Sequence, residues 1–236
     1  MKAILAIETG TDACSVALYR GGEYRQCHEV LPRQHNQRLF PMLSELVSPG
    51  NLRDQGVEAL AYGCGPGSFT GLRIAASAVQ GLAYASDLPV VPVSTLACQA
   101  ATALRQGLTD GRRTVLSTLD ARINEIYWAF FSYDSGAPVL QAGPFATPPE
   151  QVVLPDRLES VDIVGSGARY LDRFPGALGD SVAEAHPDLL PEARDLVPLA
   201  LSSLAAEDWQ TALEVRPVYV RDEISWRKLS EQGRPQ

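Results

Sequence analysis

The stretch from Tyr62 to Ala85, YGCGPGSFTGLRIAASAVQGLAYA, limits the possible folds more than any other part of the chain. It sets a glycine-rich turn, Gly63-Cys64-Gly65-Pro66-Gly67, directly before a run of small apolar residues. Gly65 and Gly67 are placed to supply positive φ, with Pro66 fixing the turn between them. Ser68 and Thr70 are both suitable N-caps for a helix that follows, and Arg73 falls in or near its first turn. Free N–H groups at such a helix start can hold a phosphate. The helix body, however, is Ala, Ser, Gly, Val and Leu almost all round, unlike a helix with one solvent face. The segment therefore reads as a nucleotide loop, a packing helix or a docking face.

Charge narrows the classes of partner. The 236 residues carry a formal net charge of −8, and no Lys/Arg run or basic-aromatic stripe occurs. A protein that grips nucleic acid alone shows a basic footprint, so any contact with RNA is expected to be indirect. Cys14, Cys27, Cys64 and Cys98 are scattered, which fits buried thiols in a reducing compartment better than disulfides or zinc. The start, MKAILAIETGTD, has five apolar residues before Glu8 and no cleavage site, so no signal peptide is expected. No apolar run approaches the length of a membrane span, and the expected location is the cytoplasm.

Periodicity and turn residues organise the chain into two lobes. Strands are predicted at 3–9, 15–20 and 23–30, with Gly21-Gly22 as a two-residue hairpin turn. A helix over 36–47 follows, in which Pro41 must lie in the first turn or kink it. A strand at 59–63 leads into the glycine turn and long helix, then a strand at 89–94 and a helix near 96–105. After the polar stretch at 107–113 the pattern restarts: strand 114–119, turn 120–122, strand 125–133, turn Asp134-Ser135-Gly136 and strand 139–143. The aromatic group Tyr127, Trp128, Phe130, Phe131 and Tyr133 is assigned to the core of that second lobe. Further on, a strand at 161–165 precedes a short helix, and a helix at 196–206 is expected to pack back on the first lobe. The division is a first lobe at 1–106, a second at 107–215 and a terminal segment at 216–236, frayed at its end. Two copies of a three-stranded hairpin sheet, each followed by helix and strand, make this an α/β protein of the two-lobe actin-like ATPase architecture.

Several runs carry a closer resemblance. IETGTDACSVAL (7–18), QHNQRLFPMLSEL (34–46), GCGPGSFTGLRIA (63–75), PVVPVSTL (89–96), LDARINEIYWAFF (119–131) and PVYVR (217–221) resemble the TsaB (YeaZ) family, in the family's order. The match covers most of 1–131, and little is recognised from 144 to 210. The resemblance implies a non-catalytic partner of TsaD in forming N6-threonylcarbamoyladenosine (t6A) on tRNA, with TsaE as an accessory ATPase. It also locates a loss. TsaD-type proteins place two histidines at i, i+4 after the strand matching 89–94, where they hold a metal. Here those positions are Thr95 and Gln99. The three histidines, His28, His35 and His186, have no ligand spacing, so no metal and no catalytic residue is assigned.

Two sets of candidates remain. Glu8, Thr9, Gly10, Thr11, Gly65 and Gly67 are candidates for a nucleotide site, against the plain reading of self-bonded turns. Asp120-Ala121-Arg122 in the second lobe makes a poor phosphate loop, so no intrinsic cofactor is expected beyond a nucleotide shared at a partner interface. The apolar stripes on helices 36–47 and 68–85 exceed what one lobe needs. With the resemblance, they are read as a docking face for TsaD or, in the free protein, a second copy: Arg38, Leu39, Met42, Leu43, Leu46, Phe69, Leu72, Arg73, Ala76 and Val79. His35 is placed on the surface near that face. TsaE would join through the complex. The alternatives are a stand-alone ATPase or small-molecule kinase of the same superfamily, and more remotely a glycoprotease-like peptidase.

Overall fold

Strands β1 (Ile4–Glu8), β2 (Ala13–Arg20), β3 (Glu23–Val30), β4 (Ala59–Gly65) and β5 (Val90–Ser94) build one sheet in the order β3-β2-β1-β4-β5. The computed structural model describes residues 3–155 and 159–220, so the chain from 221 onward, including the end expected to fray and Arg221 of PVYVR, lies outside the described residues. A second sheet, β6 (Thr114–Arg122), β7 (Glu125–Asp134), β8 (Ala137–Thr147), β9 (Val161–Val164) and β10 (Val182–His186), is ordered β10-β9-β6-β7-β8. The second order is the first one repeated: three antiparallel strands, then two parallel ones on the far side of the leading strand. This duplicated mixed sheet is the actin-like lobe architecture.

Turn chemistry explains the hairpins. Gly21 and Gly22 both have positive φ, as do Ser135 and Gly136, which suits two-residue turns between right-twisted strands. The turn expected at 120–122 lies further on. Strand β6 runs through Arg122, which pairs with Glu125, leaving Ile123 and Asn124 at the tip. Without glycine, Arg122, Ile123 and Asn124 all take φ between 54° and 63°. Pro92 sits in β5, an edge strand, where its missing N–H costs least.

Among the described residues five α-helices cover the sheets: α1 (His35–Leu46), α2 (Phe69–Ser86), α3 (Thr95–Arg105), the short α4 (Gly176–Gly179) and α5 (Leu196–Ala205). Strand β1 is buried on both faces, which is why it reads as a continuous apolar run. Leu5 and Ile7 face α1 and α2, whereas Ile4 and Ala6 face α5. Helix α3 is shared. Its Cys98 packs on the first sheet's α5 side, while Leu96, Ala100 and Ala103 pack on Val115, Leu119, Ala129 and Phe131 of the second sheet. On the opposite face of that sheet, Trp128 and Phe130 pack with the 3-10 turn at Ser166–Arg173. Pro41 lies well inside α1 rather than in its first turn, so the helix forgoes one main-chain bond there. Strand β10, with a half-exposed Ala/Glu pattern among prolines, is an element that periodicity missed.

Candidate functional site

The glycine turn meets the β1–β2 turn main chain to main chain. The Gly10 carbonyl accepts from Ser68 N at 2.7 Å, and Thr9 Oγ1 donates to the Gly71 carbonyl at 2.8 Å. Ser68, the N-cap of α2, accepts from Gly71 N at 3.3 Å, and its carbonyl takes Leu72 N. A Cβ at Gly67 would overlap the Gly10 carbonyl, and one at Gly71 the Thr9 carbonyl. The Gly10 carbonyl thus takes the Ser68 N–H, one of the donors an anion would use at the helix start. Thr9 and Gly10 are fully buried, and Thr11 Oγ1 accepts from Ala13 N in an ordinary self-bonded turn. Of the two glycines expected at positive φ only Gly65 has it, at 133°. Gly67 serves close approach instead. The structure favours self-bonded turns over a phosphate cradle here: the polar groups of Thr9, Gly10 and Thr11 bond within the hairpin or to the start of α2, and Gly65 and Gly67 admit the Val218 and Gly10 carbonyls.

Glu8, at the end of β1, is the chemically unusual group. It is fully buried, its Oε1 accepts from Gly10 N at 2.5 Å, and its Oε2 has no hydrogen-bond partner. Burial pushes its carboxyl up to about 7, against the lowering effect of the Gly10 and Thr9 N–H groups and of the facing Thr95 hydroxyl. Gly63 of the opening motif makes the room, since a Cβ there would collide with the Glu8 carboxyl. Thr95 and Gln99 are both fully buried on α3. Gln99 bridges the lobes, donating to the Leu189 carbonyl at 3.0 Å and accepting from Ser117 Oγ at 2.8 Å. The two positions where the resemblance implies histidines in TsaD are here a hydroxyl and a satisfied amide. His28 and His186 line a separate cavity of about 450 Å³ between the lobes. Among the described residues no group of three His, Cys, Asp or Glu is close enough to share a metal ion.

The docking stripe divides. Leu39, Met42, Leu43 and Leu46 of α1 and Ala76 and Val79 of α2 are buried in one cluster with Leu5, Ile7, Val16 and Leu60, and Leu72 is buried as well. Their designation as an interface is corrected: the two helices bury these side chains against the sheet and against each other. Two helices on one five-stranded face need wide apolar arcs, which is why the stripes looked excessive. His35 is likewise buried, with its Nε2 3.2 Å from the Ala13 carbonyl, not on the surface. What reaches the surface is Arg38, Phe69 and Arg73 of the original set, joined by Phe40, which apolar periodicity passed over. Phe40 is 56% and Phe69 49% exposed. They flank a groove of about 510 Å³ between α1 and α2 that also includes Asn36, Arg73 and Ile74. Arg73 lies 3.6 Å from the Phe69 ring centroid and donates to Tyr219 Oη at 3.0 Å, and the Tyr219 ring lies 5.6 Å from that of Phe69. Arg38 is held by Glu29 in a two-bonded ion pair that keeps the Glu29 carboxyl below its ordinary range.

Comparison with known proteins places this geometry. The model of the family TsaD, tRNA N6-adenosine threonylcarbamoyltransferase, matches residues 28–145, from β3 into β8. The tRNA threonylcarbamoyladenosine biosynthesis protein TsaB of Escherichia coli (strain K12) is 36% identical over 230 residues, covering 96% of this chain and 97% of the relative. The Haemophilus influenzae protein of the same name is 34% identical, with 96% of each covered. The solved structure of YeaZ from Pseudomonas aeruginosa superposes with a TM-score of 0.83 at 38% identity, over 93% of this chain and all of that one. None of the described helices is long and apolar enough to cross a membrane. On sequence over nearly the whole length and on fold alike, the chain belongs to the TsaB (YeaZ) family of tRNA threonylcarbamoyladenosine biosynthesis proteins.

Proposed function

We propose that this chain is a non-catalytic accessory subunit in t6A formation, docking on TsaD through the α1/α2 groove. The observation that carries the proposal is the pair Phe40 and Phe69, half-exposed on either side of an open groove. Both helices lie inside the region that the TsaD family model matches, so the partner is expected to present helices of the same kind. Such helices can meet face to face in a pseudo-symmetric pair, and a second copy of this chain would compete for the same face. Docking would favour the TsaD conformation competent to transfer threonylcarbamoyl from its adenylate to the tRNA adenosine. In this reading TsaE joins through the complex, tRNA is touched only indirectly, and the chain needs no cofactor of its own beyond a nucleotide shared at the partner interface. The Gly10 and Thr9 main chain packed on the start of α2, with Gly10 taking the Ser68 N–H, supports a scaffold over a stand-alone ATPase or kinase.

Binding of purified TsaD, followed by sedimentation velocity, tests it. Phe69→Arg should weaken association at least about 30-fold, the effect of losing an aromatic anchor of about 2 kcal/mol, while lowering the melting temperature only slightly through the lost Arg73 and Tyr219 contacts. Leu72→Arg, by contrast, should unfold the first lobe, because it buries an unpaired cation beneath α2. If Phe40→Arg and Phe69→Arg both bind TsaD as the parent does, the interface lies elsewhere. Turnover of Mg-ATP by the chain alone would overturn the non-catalytic assignment.

A further inference from the structure

We infer that Glu8 is held as a neutral acid and works as a proton-operated lock between the β1–β2 turn and the start of α3. The groups around it come from three elements and are uncharged. They are the Thr9 and Gly10 N–H groups of the turn, Gly63 and the Cys64 thiol of β4, and the Thr95 hydroxyl and Cys98 thiol of α3. A carboxylate without a cation, fully withdrawn from water, is the less stable of its two forms. Glu8 Oε2 is buried without a hydrogen-bond partner, and the Thr95 hydroxyl beside the carboxyl offers it a single proton and no charge.

The position of the pair gives it leverage. A Cβ on Gly10 would lie 2.9 Å from Glu8 Oε1 and 3.1 Å from Thr95 Oγ1, so turn, carboxyl and helix start are in mutual contact. One helical turn on, Gln99 ties the same helix to Ser117 in the second sheet. When Glu8 ionises, hydrating it requires the turn and the α3 start to part, and that strain falls on the helix shared by both lobes. The raised carboxyl supports the lock closing below neutral pH and loosening above it.

The test uses the full chain carrying ¹³C-labelled glutamate, with Glu8→Gln as the neutral mimic and Thr95→Val as a second variant. The Glu8 Cδ resonance, assigned by its absence from Glu8→Gln, should titrate near neutral pH, at least tenfold in proton affinity above an exposed glutamate. A protonated-carboxyl infrared band at pH 6 should vanish in Glu8→Gln. Hydrogen exchange in the first turn of α3 should accelerate at least tenfold, after correction for intrinsic rates, between pH 6 and pH 8.5, and stay flat in Glu8→Gln. Thr95→Val, which removes a donor to the charged form, should move the midpoint higher. A Glu8 midpoint between pH 4 and 5, or equal pH slopes of exchange in the parent and Glu8→Gln, would show a stable buried carboxylate and overturn the lock. Should Glu8→Gln fail to fold, the Cδ shift near pH 7, moved up by Thr95→Val, still decides between the two.

Discussion

Replacing Gly71 by Ala should destabilise the protein by about 3 kcal/mol, although alanine is the better helix former. Gly71 lies in the first turn of α2, and an added Cβ would overlap the carbonyl oxygen of Thr9. Both partners are main chain, so neither can rotate away. The Thr9 Oγ1 bond to the Gly71 carbonyl and the Ser68 N bond to Gly10 would be strained together, at roughly 1 kcal/mol each. The helix-propensity gain, at most about 1 kcal/mol, is too small to compensate. Gly81, in the same helix, is the control. Nothing lies within 4 Å of the Cβ it would acquire. Gly81→Ala should therefore stabilise by about 0.5–1 kcal/mol. Urea unfolding should show the two midpoints moving in opposite directions. If Gly71→Ala keeps the parent midpoint, the first hairpin does not rest on the helix start.

The second large effect is expected at Asp195. Its carboxylate accepts from Arg105 Nε at 2.7 Å, from Arg105 Nη2 at 2.9 Å and from Thr102 Oγ1 at 2.8 Å, and it is buried. Arg105 also pairs with Glu192 at 2.7 Å, and Glu192 accepts from Gln26 of β3 and from Gln106. The cluster ties α3 to the turn entering α5 and thence to the edge of the first sheet. Asp195→Ala leaves the Arg105 and Thr102 donors without their acceptor. A fully buried pair broken in this way costs about 3–5 kcal/mol, and because Arg105 is partly solvated the expected loss falls below that range, at about 2–3 kcal/mol. Asp195→Asn, which keeps one acceptor oxygen, should recover about half of it. Thermal unfolding at neutral pH compares the two variants. Equal stability of Asp195→Ala and the parent would mean that Arg105 finds an equivalent partner in Glu192 alone.

Much of this architecture was legible from local pattern. Gly21-Gly22 and Ser135-Gly136 announced their hairpins because two-residue turns demand positive φ at both central positions. The repeat of strand, hairpin and strand carried the duplicated sheet. Where local chemistry was weak, the reading failed. Strand β10 lacks alternation, and its parallel pairing with β9 is a long-range fact. The β6–β7 turn lies beyond Arg122 because strand register, not a glycine, places it. On α1 and α2, periodicity identified the apolar positions but not the body that covers them. Leu39, Met42, Leu72 and Val79 are buried whether the neighbour is a sheet or a partner chain, and only tertiary packing says which. Phe69 was among the positions the sequence offered, but the exposed Phe40 beside it could be picked out only once that arc was filled.

The glycine turn and the helix behind it show the same division. Sequence alone determined that residues 62–85 form a tight turn into a capped helix of small residues, and that the family's motifs run through it. Those properties follow from φ restrictions, caps and spacing, which act within a few residues. The tertiary structure decided what the glycines are for. Gly63 clears space for the Glu8 carboxyl, and Gly67 and Gly71 admit the Gly10 and Thr9 carbonyls. Those neighbours lie more than fifty positions away along the chain, and a missing Cβ leaves no trace of what fills its place until the two segments are brought together.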